Sequence, residues 1–110
     1  MGVFKDLDPL DLQQLLESAG DSLTLIDVRT PAEVARGAIQ GARSMPLHLL
    51  PLNLSMLDKG HPLVFYCQSG GRSQQACLFV QQQGYENIYN LRGGILAWQR
   101  CGLPVDALTS

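Results

Sequence analysis

The sequence lacks long apolar runs, an excess of basic residues and a recognisable targeting segment. Its longest unbroken apolar run, residues 63–67, has five residues, whereas a helix that crosses a membrane needs about twenty. Residues 1–6 contain no apolar signal core, and position 6 is not the Ser or Thr that N-myristoylation requires. Eight Lys and Arg residues against ten Asp and Glu residues give a net charge of −2. We therefore expect a protein that binds neither membranes nor nucleic acids.

Cysteine is also scarce. The chain has three cysteines, an odd number, and no Cys-x-x-Cys pair, which excludes a fold held together by disulfides. Free thiols favour a reducing compartment, so we expect a cytoplasmic protein. No spacing of His and Cys residues matches a zinc site, and no metal is expected.

The composition is that of one folded domain. Of the 110 residues, 45% are apolar and 16% are charged, which is too apolar for a disordered chain. A chain of this length buries roughly two-thirds of the surface that its unfolded form exposes. No repeat, low-complexity segment or linker divides it. We expect a single domain over residues 1–110.

Short apolar segments alternate with helical patterns along the chain. Strands are predicted at residues 23–26, 43–45, 63–66 and 88–91. Helices are predicted at residues 9–19, 31–36, 73–83 and from 94 onward, with short helical turns over residues 47–57. This alternation predicts an α/β fold with an open, mostly parallel central sheet flanked by helices on both faces. Binding sites in such folds form at the carboxyl ends of the strands.

Capping residues and apolar spacing support the first two helices. Asp8 is predicted as the N-cap of the first helix, with Pro9 at its first position. Thr30 and Glu33 have the spacing of a capping box at the start of the second helix. The buried face of the first helix is predicted to comprise Leu10, Leu12, Leu15, Leu16 and Ala19.

The most informative stretch follows the predicted strand 63–66. It consists of Cys67, Gln68, Ser69, Gly70, Gly71, Arg72 and Ser73. Gly70 and Gly71 allow a tight turn with positive φ, and such a turn directs successive N–H groups inward as an anion-binding nest. The N-terminus of the following helix adds partial positive charge. This segment is therefore predicted to stabilise a negative charge.

Cys67 is the candidate nucleophile of this segment. A sulfur held in such a nest ionises more readily than a free thiol, whose pKa is ~8.5, and the thiolate is the reactive form. The alternative is that Cys67 is a small buried hydrophobic residue at the end of a strand. The Gly-rich turn, the Arg and the helix start that follow it favour the nucleophile.

Three ordered motifs resemble those of single-domain rhodaneses, a family of thiosulfate-type sulfurtransferases. The first motif comprises residues 27–29, Glu33, residues 37–42 and residues 45–46. The second is the loop at residues 66–73, and the third comprises residues 84–85, Leu91 and residues 93–98. Residues 37–42 read Gly-Ala-Ile-Gln-Gly-Ala, where the family usually has Gly-His-Ile-Pro-Gly-Ala. The resemblance covers nearly the whole chain.

The resemblance implies both an activity and site residues. Cys67 would take up sulfane sulfur as a persulfide, and the amides of residues 68–72 would bind that persulfide. Arg72 would lie near the substrate oxyanion, and Ser73 would open the following helix. Small donors such as thiosulfate would supply sulfur to cyanide or a thiol acceptor, without a cofactor because the persulfide is itself the reactive group.

Three other functions remain open on the same architecture. The first is a persulfide carrier in a protein sulfur relay, in which the sulfur donor or acceptor is another protein. The chain would be a binding module if Cys67 did not react. Phosphatase or arsenate chemistry is the third, but Cys67 to Arg72 spans six residues, one fewer than in the related dual-specificity phosphatases of the cell-cycle type. The shorter loop favours a single sulfur over a tetrahedral phosphate.

Three charged residues are candidates for the edge of the site. Asp27 and Arg29 end a predicted strand, where they would either tune the loop electrostatically or form a structural ion pair. Arg92 precedes Gly93 at another strand end and would either line the mouth of the site or be a solvated cation. Glu33 is predicted to cap its helix.

The remaining chemistry-bearing residues carry weaker predictions. Cys77 and Cys101 are candidate resolving thiols, although neither has Cys-x-x-Cys spacing. His48 and His61 are expected to be ordinary loop residues. The Leu-rich stretch from Met45 to Leu57 is expected to be core under a loop rather than a docking patch.

Overall fold

The chain forms a parallel sheet of five short strands within residues 4–106, the part that this computed structural model describes. The strands are β1 (Lys5–Leu7), β2 (Thr24–Asp27), β3 (Arg43–Ser44), β4 (Leu63–Tyr66) and β5 (Ile88–Leu91). Their order across the sheet is β1-β5-β4-β2-β3, and every neighbouring pair is parallel. The carboxyl ends of all five therefore meet at one edge of the sheet.

Helices connect these strands and cover both faces, so the predicted fold class is confirmed. They are α1 (Pro9–Ala19), α2 (Pro31–Ala35), α3 (Leu50–Asn53), α4 (Gly71–Gln82) and α5 (Gly94–Arg100). Short single turns at Gly20–Ser22, Leu47–Leu49 and Leu54–Met56 flank α1 and α3. The predicted capping box is present, because Glu33 N–H donates to Thr30 Oγ1 and Thr30 N–H donates to Glu33 Oε1.

Alternation along β4 divides the core between the two faces of the sheet. Leu63 and Phe65 pack on one face with the buried side of α4, and Val64 and Tyr66 pack on the other with α1 and α5. All four side chains are fully buried. A strand with both faces covered has one continuous apolar run, as residues 63–66 do in the sequence.

The structure corrects several local predictions. The strand β1 was not predicted, because it is a three-residue edge strand of sequence Lys-Asp-Leu with exposed charged side chains. Asp8 occupies the N-cap position of α1 but its side chain makes no capping hydrogen bond. Leu10, predicted to be buried, is 55% exposed because it lies on the opposite side of α1 from the fully buried Leu12.

The Leu-rich stretch at residues 45–57 is neither all core nor all surface. Met45, Leu50 and Leu57 are buried in the cluster that includes β4 and α4. Leu52 and Met56 are exposed. Consecutive short turns rotate successive side chains to different sides, so only part of the stretch reaches the core.

The loop after β4 is held by the start of α5. The N–H groups of Ile95 and Leu96 donate to the carbonyl oxygens of Cys67 and Gln68 over 2.9 and 3.2 Å. This close approach requires Gly94, whose φ is +64° and where an added Cβ would lie 2.5 Å from both of those carbonyl oxygens. The glycine pair at residues 93–94 thus serves to dock one strand-end loop against another.

Replacing Gly94 by Ala is expected to destabilise the fold more than the matched change Gly102→Ala. Gly102 also has positive φ, +77°, but a Cβ there meets nothing within 4 Å. Both changes incur about 1–2 kcal/mol of backbone strain, and only Gly94→Ala adds collisions with the loop carbonyls. Urea unfolding of the two variants measures the difference, and equal losses of stability would contradict the docking role of Gly94.

Candidate active site

The predicted loop lies at the carboxyl edge of the sheet. Cys67 follows the last residue of β4, and α4 begins four residues later at Gly71. The end of β2, with Asp27 and Arg29, lies on one side, and the end of β5 lies on the other. The central position of β4 therefore places Cys67 between two neighbouring strand ends.

The sulfur of Cys67 is surrounded by hydrogen-bond donors. The residue is 1% exposed, Gly70 N–H donates to its Sγ over 3.0 Å, and Ser73 Oγ lies 3.5 Å from it. Burial raises the pKa of the thiol, but hydrogen bonds from the Ser73 side chain and from the amides of Ser73, Gly70 and Ser69 outweigh it. The pKa of Cys67 is consequently lowered, as expected for a thiol in a nest of N–H groups.

One glycine, not two, provides the turn. Gly70 has φ +115° and is the N-cap of α4, whereas Gly71 is already the first residue of the helix and has no positive φ. Ser73 was expected to open the helix but is its third residue. The earlier start aligns the first-turn amides of α4 toward Cys67.

Arg72 is paired with Glu33. Its Nη1 and Nη2 donate to Oε1 and Oε2 of Glu33 over 2.6 and 2.8 Å. The Arg72 hydrogen bond, partly offset by burial and reinforced by Thr30, lowers the pKa of Glu33 to about 2. The resemblance placed Arg72 near the substrate oxyanion, and the capping-box spacing assigned Glu33 only to its helix. In the structure, the Glu33 carboxylate also binds the Arg72 guanidinium. The two residues follow adjacent strands, so their pairing could have been inferred once the strand order was known.

Asp27 and Arg29 form the structural ion pair that the sequence left as one alternative. Both residues are buried, and Arg29 Nη2 lies 2.7 Å from Asp27 Oδ2. The same nitrogen donates to the carbonyl oxygen of Gly37, and Arg29 Nη1 reaches Gln68 Oε1 at 3.4 Å. This pair therefore links the end of β2 to α2 and to the loop.

Arg92 makes its ion-pair contacts outside the loop. Its guanidinium lies 3.8 Å from Asp6 and 3.6 Å from Asp8, and its side chain is 65% exposed. It shares the carboxyl edge of the sheet with the loop, but it contacts acidic residues of the first strand and turn. Its position fits the solvated cation that the sequence left as one alternative.

A cleft of about 260 Å³ opens beside Gln68. It is lined by Arg29, Glu33, Arg36, Gly37, Gln68, Ile95 and Gln99. Asp27 neutralises Arg29 and Arg72 neutralises Glu33, while Arg36 has no carboxylate partner among the described residues. Arg36 was not singled out in the sequence because nothing local marks it.

Two polar residues of one hydrogen-bonded chain were also missed. Asn90 in β5 is 1% exposed, its Oδ1 accepts from Ser73 Oγ over 2.5 Å, and its Nδ2 donates to Asp6 Oδ1 over 3.0 Å. A lone Asn inside the apolar strand 88–91 was the available signal, since a buried amide needs partners. Asp6 was missed together with β1.

In the part of the chain that the structure describes, the other cysteines and the histidines make no hydrogen bond to the sulfur of Cys67. Burial raises the pKa of Cys77, which is inert in the core, whereas Cys101 is exposed. His61 lies 3.5 Å from Asp58. His48 borders a surface hollow that Arg72 also lines. Within residues 4–106, no cluster of three or more His, Cys, Asp or Glu side chains could hold a metal ion, and no helix is long and apolar enough to span a membrane.

The parallel sheet, with a cysteine-centred amide nest at its carboxyl edge, defines a rhodanese-like domain. The sequence model of that family, "Rhodanese-like domain", matches residues 8–101, and the chain belongs to this family. A sulfurtransferase of Allochromatium vinosum is 49% identical over 102 residues, covering 93% of this chain and 94% of the relative. The thiosulfate sulfurtransferase GlpE of Stutzerimonas stutzeri is 33% identical over 96 residues, covering 87% and 85%.

Solved structures agree with this assignment. The crystal structure of a rhodanese-related protein from Thermoplasma volcanium superposes with a TM-score of 0.85 at 29% identity. The match covers 94% of this chain and 99% of that one. The chain is thus a rhodanese-family protein whose relatives include sulfurtransferases.

The Glu33–Arg72 pair predicts a specific dependence of stability on pH. The pKa of Glu33 is lowered from 4.5 to about 2, so the stability it contributes is present above pH 4.5 and is lost as the pH falls toward 2. The variant Glu33→Gln should unfold more easily than the wild type at pH 7, by up to about 1 kcal/mol because the pair is partly exposed. Urea unfolding between pH 7 and about 3 should show this gap closing. A gap that stays constant would contradict the assignment.

Proposed function

We propose that residues 1–110 form a single sulfurtransferase domain that carries sulfane sulfur as a persulfide on Cys67. The observation that supports it is the Sγ atom of Cys67, which faces the Gly70 amide at 3.0 Å and the Ser73 hydroxyl at 3.5 Å. Such donors stabilise an anionic sulfur without a cation. The cleft beside Gln68 is the proposed approach for both donor and acceptor.

The first half-reaction loads the enzyme. The Cys67 thiolate attacks the sulfane sulfur of thiosulfate or a similar donor and forms a new S–S bond. The S–S bond of thiosulfate breaks, and sulfite leaves with its electron pair. The lowered pKa of Cys67 increases the fraction of the reactive thiolate at a given pH. No oxidant or cofactor takes part, because the transferred sulfur atom already has the oxidation state of sulfane sulfur in the donor.

The second half-reaction returns the enzyme to its starting state. Cyanide or a thiolate acceptor attacks the outer sulfur of the persulfide, and the Cys67 thiolate is the leaving group. Its departure is favoured by the same donors that lower its pKa. The proposed partners are therefore small sulfur donors and thiol or cyanide acceptors. With three free cysteines, a reducing, cytoplasmic location is the proposed setting.

The ion pair between Arg72 and Glu33 favours a second candidate function, that of a persulfide carrier in a protein sulfur relay. Arg72 is the only charged residue in the loop, and both of its terminal nitrogens are bound to Glu33. The loop therefore offers no free cation to the sulfonate end of thiosulfate. A protein persulfide is recognised through its surrounding surface and does not need that cation. The same pairing argues against a phosphate substrate, which needs a free guanidinium at the loop.

Intact mass measurement after exposure to thiosulfate tests the proposed persulfide. The wild type is expected to gain the mass of one sulfur atom and to lose it on addition of cyanide. Cys67→Ser should gain nothing, whereas Cys101→Ser, which removes an exposed free thiol, should behave as the wild type. A gain that persists in Cys67→Ser would reject Cys67 as the carrier. If thiosulfate fails but a protein persulfide donor loads Cys67, the relay function is the correct one.

The variant Glu33→Gln tests whether the ion pair limits the use of thiosulfate. Removing the carboxylate frees Arg72 for the sulfonate, so the KM for thiosulfate should fall about fivefold, equivalent to about 1 kcal/mol for a partly exposed charge pair. Glu17→Gln, an equal change of charge on the outside of α1, is the control and should leave the KM unchanged. An unchanged or higher KM in Glu33→Gln would contradict this role of the pair.

A further inference from the structure

A chain of hydrogen bonds, buried except at its end on Asp6, leads from Cys67 to the edge strand. Ser73 Oγ lies 3.5 Å from Cys67 Sγ and 2.5 Å from Asn90 Oδ1, and Asn90 Nδ2 donates to Asp6 Oδ1 over 3.0 Å. Ser73 and Asn90 are buried, while one third of the Asp6 side chain is exposed. The chain thus joins the sulfur on β4 to strands β5 and β1.

Asp6 determines the direction of these bonds. An ionised carboxylate only accepts hydrogen bonds, so the NH₂ group of Asn90 must face Asp6 and its carbonyl oxygen must face Ser73. Between Ser73 Oγ and Asn90 Oδ1, only Ser73 carries a proton. The Ser73 hydroxyl therefore donates to Asn90 when Cys67 is a thiol, and it must turn away from Asn90 to donate to a Cys67 thiolate.

The Ser73 hydroxyl has one proton and several acceptors. The other two within reach are the carbonyl oxygen of Gly70 at 3.1 Å and the sulfur of Cys67 at 3.5 Å. A thiolate at Cys67 needs that proton, whereas a thiol can donate its own proton to Ser73. A sulfur that carries no negative charge needs nothing from Ser73. Asn90 and an anionic Cys67 therefore compete for the same hydrogen bond.

We propose that Asn90, oriented by Asp6, is a positioning residue that withholds the Ser73 proton from Cys67 and so favours states in which the negative charge has left Sγ. On the proposed function, the persulfide is such a state, because its charge lies on the outer sulfur and faces the loop amides. When the persulfide is discharged and the thiolate returns, the hydroxyl rotates back toward Sγ. The Ser73 hydroxyl thus donates to Cys67 in the thiolate and to Asn90 in the persulfide.

Other charged or titratable groups also face this region. Arg72 and Cys77, both on α4, lie close enough to Cys67 to interact with it electrostatically. The positive charge of Arg72 is balanced by the carboxylate of Glu33 on α2. Arg29 contacts the side chain of Gln68, and its positive charge is balanced by the carboxylate of Asp27. A change at Asn90 that alters no charge leaves all these groups in place, so its effect on Cys67 reports the hydrogen bond itself.

The test compares the thiolate midpoint of Cys67 in Asn90→Leu and Ser73→Ala, read from the pH dependence of the Cys67 Cβ chemical shift by NMR. Asn90→Leu frees the Ser73 proton for the thiolate, so the midpoint should fall by about 0.5–1 pH unit, equivalent to about three- to tenfold more thiolate at a pH below the midpoint. Ser73→Ala removes the donor and should raise the midpoint. Substitutions at these two hydrogen-bonded residues are thus expected to shift the thiolate midpoint of Cys67 in opposite directions.

The double variant Ser73→Ala/Asn90→Leu separates this role from a general disturbance of β5. Without Ser73 there is no proton to compete for, so adding Asn90→Leu should leave the midpoint of Ser73→Ala unchanged. An equal shift in both backgrounds, or a midpoint that rises in Asn90→Leu, would overturn the proposal. Asn90→Ala provides a second test with the same expected direction if the Leu variant does not fold.

This measurement does not require sulfur transfer. The midpoint of Cys67 is read in the free protein, without any donor or acceptor. A failure of thiosulfate loading would therefore count against the proposed function alone, and a failure of the opposite shifts would count against the role of Asn90 alone.

Discussion

The site depends on two hydrogen bonds between the start of α5 and the carbonyl oxygens of Cys67 and Gln68. With both carbonyls turned toward α5, the loop beyond them folds back and presents its amides to the sulfur. Gly94 makes this approach possible, since any side chain there would collide with the same two oxygens. Gly70 then turns the chain into α4. The nest is thus built by packing two strand-end loops together, not by the cysteine segment alone.

Charges at this edge of the sheet are paired with one another. Arg29 is held by Asp27 and Arg72 by Glu33. These pairs hold α2 and the loop in place, and they leave neutral amides and a hydroxyl as the groups that face the sulfur. A site of this kind stabilises a compact anion through oriented dipoles and discriminates little by net charge. It is suited to a sulfur atom, and the free cation of the cleft, Arg36, lies outside the nest.

Local sequence patterns were sufficient to predict most of the fold and the loop. The apolar runs of β2, β4 and β5, the Thr30–Glu33 capping box and the Cys-to-Arg segment all depend on neighbours in the chain. The missed features depend on strand order. The Glu33–Arg72 pair joins residues 39 positions apart, and the link from Ser73 to Asp6 passes through two strands. β1 escaped notice because an edge strand with charged, exposed side chains lacks an apolar pattern.

The central claim is that backbone amides of the loop, rather than a cation, hold the transferred sulfur. The most direct measurement is the NMR amide spectrum of the protein before and after Cys67 is loaded with sulfur, with loading verified by mass. The account predicts that the largest shifts in amide proton resonance occur at Ser69, Gly70 and Ser73, the residues whose amides lower the pKa of Cys67. A loaded protein in which these three resonances remain unchanged would contradict it.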